Sequence, residues 1–350
     1  MPGPALTTST APVSAPPPPT LRDVAEMAGV SMSTVSRVLT GKPGVAPATR
    51  TRIEGALRTL DYVSNLSARS LRGARSMTYA LLVDDLSSGF FSPLAEALTH
   101  IALDDGCTLL IVTTQKAYAR ERDIISTMRS RQVDGLFVVA ASNDEAGDRA
   151  RRAPNLPVVY LERFPPGADV DVVTFDYHRA GLAQIDALWD RGHRRIAFVG
   201  GTVTEDPGLR RLAAYRDGLR AHGLEPDQKL VSVHHETGVD DRATGDASVR
   251  SALEGLMALP SPPTAVVVTV GPLLRTILAL CAEQGWELWV ASYELFDIPV
   301  LTPVPLVVTH GDFDELARTA ASMLRSRIEQ GPGEPRTVLL ETRTEVFLPL

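Results

Sequence analysis

The chain has 350 residues, of which 44% are hydrophobic, and its formal net charge is −7. This length and composition predict a soluble globular protein of two or three domains and exclude a fibrous protein. No stretch approaches the roughly 20 uninterrupted apolar residues of a membrane-spanning helix, and residues 1–19 lack the basic start and apolar run of a secretory signal. We therefore expect a cytoplasmic protein with no membrane partner.

The first 19 residues differ in composition from the rest of the chain. They contain seven prolines together with Ser, Thr and Ala, and almost no large apolar side chains. A segment of this kind cannot bury enough apolar surface to offset the conformational entropy that folding costs. We expect residues 1–19 to be a disordered tail.

Three short helices are predicted between Thr20 and about Tyr62, because apolar residues recur there at helical spacing. The three blocks are Val24, Ala25 and Ala28; Val35, Val38 and Leu39; and Ile53, Ala56, Leu57 and Leu60. The segment from Thr20 to Arg75 carries nine Arg or Lys against four acids, which leaves a net charge of −12 on the remainder. A small basic module on an acidic body is typical of a protein that binds phosphates at one end.

The residues that flank these helices predict their arrangement. Thr20 and Asp23 have the spacing of a capping box, and Gly29 supplies the left-handed residue that ends the first helix. Ser31 then caps the second helix, and Pro47 opens the third. Because the turn is short, the first two helices meet at a steep angle, and the second can enter a DNA major groove. The pattern predicts a helix-turn-helix.

Beyond Ser76, short apolar runs alternate with helical stretches, which predicts parallel sheets covered on both faces. The predicted strands are residues 79–83, 108–112, 135–139, 158–161, 196–199, 265–269 and 306–309, and the predicted helices are residues 93–104, 124–130, 181–190, 209–221 and 273–283. Roughly 275 residues are too many for one such sheet, so we expect two lobes with a ligand-binding cleft between them.

Residues 20–39, TLRDVAEMAGVSMSTVSRVL, resemble the headpiece of the lactose-repressor/galactose-repressor (LacI/GalR) family of transcription regulators. The resemblance continues through NLSARSLR at 65–72, RQVDGL at 131–136 and RGHRRIAFVGG at 191–201. It implies an α/β chain with a helix-turn-helix domain over 20–64, a hinge helix and linker over 65–75, and a periplasmic-binding-protein-like body with two parallel sheets over 76–350. Lobe 1 would span about 76–175 and 312–330, and lobe 2 about 176–311 and 331–350.

The resemblance assigns two sets of DNA contacts. The positions that read base edges are Met32, Ser33 and Arg37, and those that hold phosphates are Thr20, Ser31, Thr34 and Thr49. Arg37 is the strongest candidate because a guanidinium can bind guanine O6 and N7 together, whereas Met32 offers only apolar contact. Phosphate contacts set the register without reading sequence. Taken singly, each residue could instead be an ordinary exposed helix residue.

The predicted hinge, Asn65 to Leu71, is too short to be a stable helix alone. In the family, the hinges of two subunits pack together in the minor groove, where Ala68 would allow close approach and Leu71 would wedge between base steps. This implies a homodimer on a palindromic double-stranded operator, and we expect no tetramer because no heptad-bearing tail follows. Leu71 could instead be a packing residue of a linker.

The resemblance also assigns residues to an effector site in the cleft. Phe90 and Phe91 match positions that stack on a ligand, and Arg211 matches an arginine that binds hydroxyls or a carboxylate. Further ligand positions are Glu162, Glu294 and Phe313. The aromatic pair could instead belong to the core, and Arg211 could lie on a helix surface.

Two departures from the family pattern affect this site. Residues 270–272 are Val-Gly-Pro where the family usually has an Asp at a helix start, and the segment before Ser292 is several residues short. An atypical ligand and a loss of strong effector binding both stay open. We predict a repressor whose operator affinity responds to a sugar or related metabolite, with the direction of that response open.

Two other function classes are less consistent with the sequence. An enzyme is disfavoured because the chain has no dinucleotide-binding, phosphate-loop or nucleophile-elbow motif. A transport-type solute-binding protein is disfavoured by the basic headpiece and the missing secretion signal. We expect no cofactor and no metal, because His234 and His235 lack further ligands at metal spacing and Cys107 and Cys281 lie in apolar segments as buried thiols.

Overall fold

The computed structural model describes residues 19–39, 42–62, 75–86, 89–115, 117–141, 156–164, 169–201, 207–234, 242–293 and 302–349. Residues 1–18 of the predicted tail and 65–74 of the predicted hinge lie outside these stretches. Contacts divide the chain into a first unit that ends at Ser76 and a second unit that begins at Met77. Each unit has an apolar core of its own.

The first unit consists of helices around a small apolar core. They are α1 (Leu21–Ala28), α2 (Met32–Leu39) and α3 (Pro47–Thr59). Each helix contributes a fully buried side chain, namely Val24, Val35 and Ile53, and these belong to one cluster. All three are among the residues whose spacing predicted the helices, and the three-helix domain is confirmed.

The predicted caps determine where these helices begin and end. The Thr20 hydroxyl accepts a hydrogen bond from the Asp23 N–H, and the Asp23 carboxylate accepts one from the Thr20 N–H at 2.7 Å. Gly29 ends α1 with a φ of 63°, a conformation that side chains other than glycine adopt only with strain. At the start of α2, the Ser31 hydroxyl accepts from the Thr34 N–H at 3.2 Å.

In the part of the second unit that the structure describes, strands form two sheets of six. Sheet 1 contains β1 (Thr78–Val83), β2 (Thr108–Thr113), β3 (Gly135–Val138), β4 (Val158–Leu161), β5 (Asp171–Phe175) and β11 (Thr337–Leu340) in the order β11-β5-β4-β3-β1-β2. Sheet 2 contains β6 (Ile196–Gly200), β7 (Val231–Val233), β8 (Ala265–Val268), β9 (Trp289–Ser292), β10 (Leu306–Gly311) and β12 (Thr342–Phe347) in the order β12-β10-β9-β8-β6-β7. Neighbouring strands are parallel except for β10 and β12.

Helices cover both sheets, as the sequence predicts. Sheet 1 is covered by α4 (Phe91–Asp104), α5 (Tyr118–Ser130) and α10 (Phe313–Gln330), and sheet 2 by α6 (Tyr177–Trp189), α7 (Gly208–Ala221), α8 (Arg242–Met257) and α9 (Gly271–Gln284). One cluster of buried side chains runs from sheet 1 to sheet 2, and a second cluster lies on the other face of each sheet. Burial on both faces explains why strands such as β3 are continuously apolar. The two-lobed α/β body is confirmed.

The predicted lobe boundary is wrong at the carboxyl end. Residues 331–350 were expected in lobe 2, but β11 pairs with β5 in sheet 1, and only β12 returns to sheet 2 beside β10. The reason is an ion-pair cluster on the buried carboxylate of Asp171 in β5. Arg327 of α10 binds it with Nε at 2.7 Å, and the backbone N–H of Arg336 donates to it at 2.9 Å. These contacts hold the chain on sheet 1 until β11 ends.

Candidate functional site

The exposed face of α2 carries the residues that the sequence predicts to read bases. Met32 is 53% exposed, and Ser33 and Arg37 are also exposed, whereas Val35 and Val38 turn into the core of the first unit. Ser33 and Arg37 are four residues apart and therefore lie on the same side of the helix. These side chains are therefore on the solvent-exposed face of the helix.

The polar residues around α2 have defined partners. The Ser31 hydroxyl lies 2.8 Å from the hydroxyls of both Ser33 and Thr34, so that three hydroxyls cluster at the amino end of the helix. The Arg37 guanidinium donates from Nη2 to the Pro43 carbonyl at 3.3 Å. Orphan N–H groups and hydroxyls at a helix amino end suit a phosphate oxygen.

The other predicted DNA contacts are less exposed than those on α2, are engaged in the cap of α1, or lie outside the described residues. The hydroxyl of Thr20 donates to the Asp23 carboxylate at 2.7 Å, so it is already used within the cap of α1. Thr49 lies half-buried in the first turn of α3. The hinge candidates Asn65, Ala68 and Leu71 lie outside the described residues.

The predicted effector residues that the structure describes follow the carboxyl ends of parallel strands, where ligands bind in open α/β sheets, in two groups: the phenylalanines in lobe 1 and Arg211 in lobe 2. Phe90 contacts both Phe91 and Phe313, with ring centroids 5.4 and 5.0 Å apart. Arg211 lies in the first turn of α7 and is only 5% exposed, so the alternative of a helix-surface arginine is wrong. Glu294 lies outside the described residues.

Three aromatic side chains that sequence reasoning missed connect the two groups. Phe313 contacts Phe175 at 6.1 Å between centroids, Phe175 contacts Tyr177 at 6.3 Å, and Tyr177 contacts Tyr293 at 5.9 Å. The guanidinium carbon of Arg211 lies 4.1 Å from the centre of the Tyr177 ring and 4.8 Å from that of Tyr293. A continuous row of ring contacts therefore runs from Phe90 of lobe 1 to the buried arginine of lobe 2, and its middle members belong to the buried core.

Glu162 joins this row from the end of β4. Its carboxylate accepts hydrogen bonds from the Tyr177 hydroxyl and, at 3.4 Å, from the Phe175 N–H. The backbone φ of Glu162 is 62°. The N–H of Arg163 donates to the carbonyl of Leu161 at 2.6 Å, so that Glu162 is the central residue of a γ-turn. A non-glycine residue in this conformation is strained by about 1–3 kcal/mol, and such strain concentrates at binding sites. The turn directs a buried carboxylate of lobe 1 onto lobe 2.

The position of Tyr293 depends on Gly181 in α6. A methyl group at residue 181 would lie 2.4 Å from the Tyr293 hydroxyl oxygen and 2.5 Å from the Cβ of Ala214 in α7. We expect Gly181→Ala to lower the free energy of unfolding by about 2 kcal/mol, because overpacking must displace either the ring or the helix. Gly255→Ala is the matched control, since nothing lies within 4 Å of a methyl group there and a helical alanine is favoured by about 0.5–1 kcal/mol. Urea unfolding of both variants measures the difference, and equal stabilities would contradict the packing.

The structure bears on three other sequence predictions. Cys107 and Cys281 are buried thiols, as expected, and burial raises the pKa of Cys281 to about 11. In the described stretches, no group of three or more His, Cys, Asp or Glu side chains is arranged to hold a metal ion. No helix among the described residues is long and apolar enough to cross a bilayer.

Comparison with known proteins matches both units. Residues 20–65 match the model of the bacterial regulatory proteins of the lacI family, and residues 185–346 match a periplasmic binding protein-like domain. Catabolite control protein A of Priestia megaterium is 30% identical over 268 residues, which cover 76% of this chain and 78% of that protein.

Solved structures match over nearly the whole chain. The regulator CelR in complex with cellobiose is 26% identical with a TM-score of 0.68, over 94% of this chain and 99% of that one. The lac repressor dimer bound to operator and the anti-inducer ONPF has the same fold, with a TM-score of 0.80 and 22% identity over 95% of this chain and 100% of that one. Both the predicted resemblance and the predicted architecture are confirmed, and the chain belongs to the lacI family of bacterial regulatory proteins, which are DNA-binding transcription regulators.

Proposed function

We propose that the chain is a repressor that binds a palindromic operator as a homodimer and responds to a small molecule in its cleft. The observation that carries this proposal is the exposed face of α2, which offers Met32, Ser33 and Arg37 beside a capped turn. In this role Arg37 reads a guanine, while the hydroxyls at the amino end of α2 hold a phosphate. The phosphate contacts are Thr20, Ser31, Thr34 and Thr49.

The hinge over residues 65–75 links DNA binding to dimerisation in this proposal. Asn65, Ala68 and Leu71 lie in the minor groove at the centre of the operator, with Leu71 wedged between base steps. Two hinges must meet there, because one such segment is too short to be helical alone. Any change in the separation of the two segments therefore changes the free energy of operator binding.

The cleft holds the effector. Phe90, Phe91 and Phe313 supply aromatic faces of the kind on which the apolar face of a sugar ring stacks, and Arg211 supplies a planar donor. Glu162 and Glu294 complete the proposed site, and a carbohydrate or related metabolite is the expected ligand. The effector shifts the equilibrium between two lobe arrangements only by its difference in affinity for them, typically about 1–3 kcal/mol.

In this role the protein acts in the cytoplasm, where the operator is, and catalyses no reaction. The buried carboxylate of Glu162 is engaged by Tyr177 and Phe175, and it serves here to join the lobes and not to act as a general base. Regulation by binding alone accounts for the residues that the cleft brings together.

Selection from random DNA tests this function. The full chain is mixed with a pool of random duplexes at near-physiological salt, and the retained DNA is sequenced. We expect a palindromic motif of two half-sites around a central pyrimidine–purine step, which is the step most easily kinked. Binding that falls with salt and enriches no motif would contradict a sequence-specific regulator and favour a ligand-binding protein that meets DNA only by charge.

A further inference from the structure

Met77, the first residue of the second unit, has a backbone conformation that is unusual for its residue type. Its φ is 55°, in the left-handed region, where a Cβ lies too close to a carbonyl oxygen. A residue other than glycine keeps this conformation only where its surroundings hold it. Only Ser76 separates Met77 from the linker of residues 65–75, and β1 begins at the next residue. This Met77 kink therefore sets the direction of the chain where the linker joins sheet 1.

Neighbours on both sides of β1 hold the Met77 kink. On the β3 side, the Met77 N–H donates to the carboxylate of Asp134 at 2.9 Å. On the β2 side, the N–H of Thr108 donates to the Met77 carbonyl at 2.9 Å, and the Met77 side chain packs against the apolar core. Among these contacts, the one to Asp134 is made by a neighbouring side chain, so a substitution can remove it without changing Met77.

The two supports of the kink both rest on α10. Gly135, the residue after Asp134, lies so close to this helix that a Cβ there would be 2.7 Å from the Leu324 side chain. On the other side, the carboxylate of Asp105, in the turn before β2, accepts from Arg325 at 3.0 Å. Leu324 and Arg325 are consecutive residues of α10. Asp134 is therefore positioned by packed elements, which suits a residue that must hold another in place.

Removal of the Asp134 carboxylate would leave the Met77 kink without one of its supports. The Met77 N–H would lack this acceptor, while the unfavourable approach of its Cβ to a carbonyl oxygen would remain. A return to the right-handed or extended region changes φ by roughly 100° or more. A rotation of that size redirects the residues that precede Met77, and these residues are the linker.

We propose that Asp134 is a positioning residue for operator binding, which holds the Met77 kink and so fixes the direction in which the linker leaves the body. The inference deepens the proposed function and rests on it, because it concerns how the two hinges of the homodimer are kept at one separation. A linker with a fixed starting direction is preorganised for one spacing of the half-sites. A dimer whose linkers start in variable directions would accept other spacings as well.

The test compares the affinity of the full chain for two duplexes. The first is the operator selected by the wild type, and the second carries one extra base pair between its half-sites. The insertion moves the half-sites apart by about 3.4 Å and rotates one against the other by about 35°. We expect Asp134→Ala to lower the ratio of the two affinities about fivefold, because a variable linker follows the displaced half-site.

The ratio separates positioning from stability. A variant that is only less stable has fewer active molecules and loses binding to both duplexes alike. Asp134→Asn keeps an oxygen that can accept from the Met77 N–H, and it should restore the wild-type ratio. Asp123→Ala is the matched control, since it removes an exposed carboxylate from α5 and should also leave the ratio unchanged. If Asp134→Ala does not fold, Asp134→Glu, whose longer side chain displaces the carboxylate, replaces it.

A wild-type ratio in Asp134→Ala would overturn the inference, because the direction of the linker would then not depend on this carboxylate. The inference is also wrong if Asp134→Asn loses the preference for one spacing as fully as Asp134→Ala does. Both results leave the proposed function intact, since the wild type still selects an operator. A wild type that enriches no motif from random duplexes would instead overturn the proposed function itself, and with it the role of Asp134.

Discussion

Replacing Arg37 with alanine is expected to weaken binding to the selected operator by about 2–6 kcal/mol, the largest effect predicted for any single change in this protein. A bidentate contact between arginine and guanine contributes about 1–3 kcal/mol of discrimination, and a homodimer makes the contact twice. Arg37 is exposed on α2, and its guanidinium donates to the Pro43 carbonyl at 3.3 Å, a long hydrogen bond to a neutral acceptor that a guanine can replace. Fluorescence anisotropy with the selected duplex measures the loss.

The control for this prediction is Arg37→Lys. Lysine keeps the charge but loses the planar fork, so it should bind unrelated duplex about as well as the wild type while losing much of the preference for the operator. Circular dichroism of both variants checks that the three helices are intact. An alanine variant that keeps the wild-type preference for the operator would show that Arg37 does not read a base.

Asp171→Asn is expected to lower the free energy of unfolding of the second unit by about 3 kcal/mol at neutral pH. The Asp171 side chain is 1% exposed and holds Arg327 of α10 and Arg336 before β11, and removing one partner leaves buried charge uncompensated. The matched control is Asp217→Asn, which removes an exposed carboxylate from His178 and Arg220 and should cost much less. Urea unfolding followed by tryptophan fluorescence compares the two.

The free energy of unfolding of the same variant, measured as a function of pH, gives a second test of this ion pair. Burial alone raises the pKa of Asp171, but hydrogen bonds from Arg327 and Arg336 outweigh it, so that the pKa lies below its usual value in the folded protein. A lowered folded-state pKa stabilises the protein above the unfolded pKa of about 4, and this stabilisation is lost as the pH falls through the folded value. The difference in free energy of unfolding between the wild type and Asp171→Asn should therefore shrink in acid. An advantage that persists unchanged below that range would contradict the ion pair.

The first unit could be predicted from sequence because its signals are local. The capping residues Thr20 and Asp23 and the left-handed Gly29 act within one turn of the helices they delimit. The apolar spacing within each helix, such as that of Val24 and Ala28 in α1, follows directly from 3.6 residues per turn. Each element can therefore be recognised without knowledge of its neighbours.

The carboxyl end of the body could not be predicted in this way. Strand β11 belongs to sheet 1 because of Arg327 and Arg336, which meet Asp171 across more than 150 residues of sequence, with separations of 156 and 165. The strand itself, Thr337–Leu340, lies at a sheet edge with half of its side chains exposed, and its short apolar run does not indicate which sheet it joins. Its assignment depends on tertiary contacts alone.

The cleft was predicted only in part for a similar reason. Phe90, Arg211 and Phe313 match positions of the family, whereas Tyr177 and Tyr293 complete the site through contacts between elements distant in the chain. Both tyrosines follow the carboxyl end of a strand, where ligand-facing residues collect, but neither of those strands was among the predicted ones.

The central claim, that α2 reads the operator through Arg37, is tested most directly by repeating the selection from random duplexes with Arg37→Gln. Glutamine binds adenine N6 and N7 as arginine binds guanine O6 and N7, and both contacts lie in the major groove. We expect the enriched motif to change from guanine to adenine at one position in each half-site and to stay the same elsewhere. A motif identical to that of the wild type would contradict the claim, because the residue would then have no part in reading the sequence.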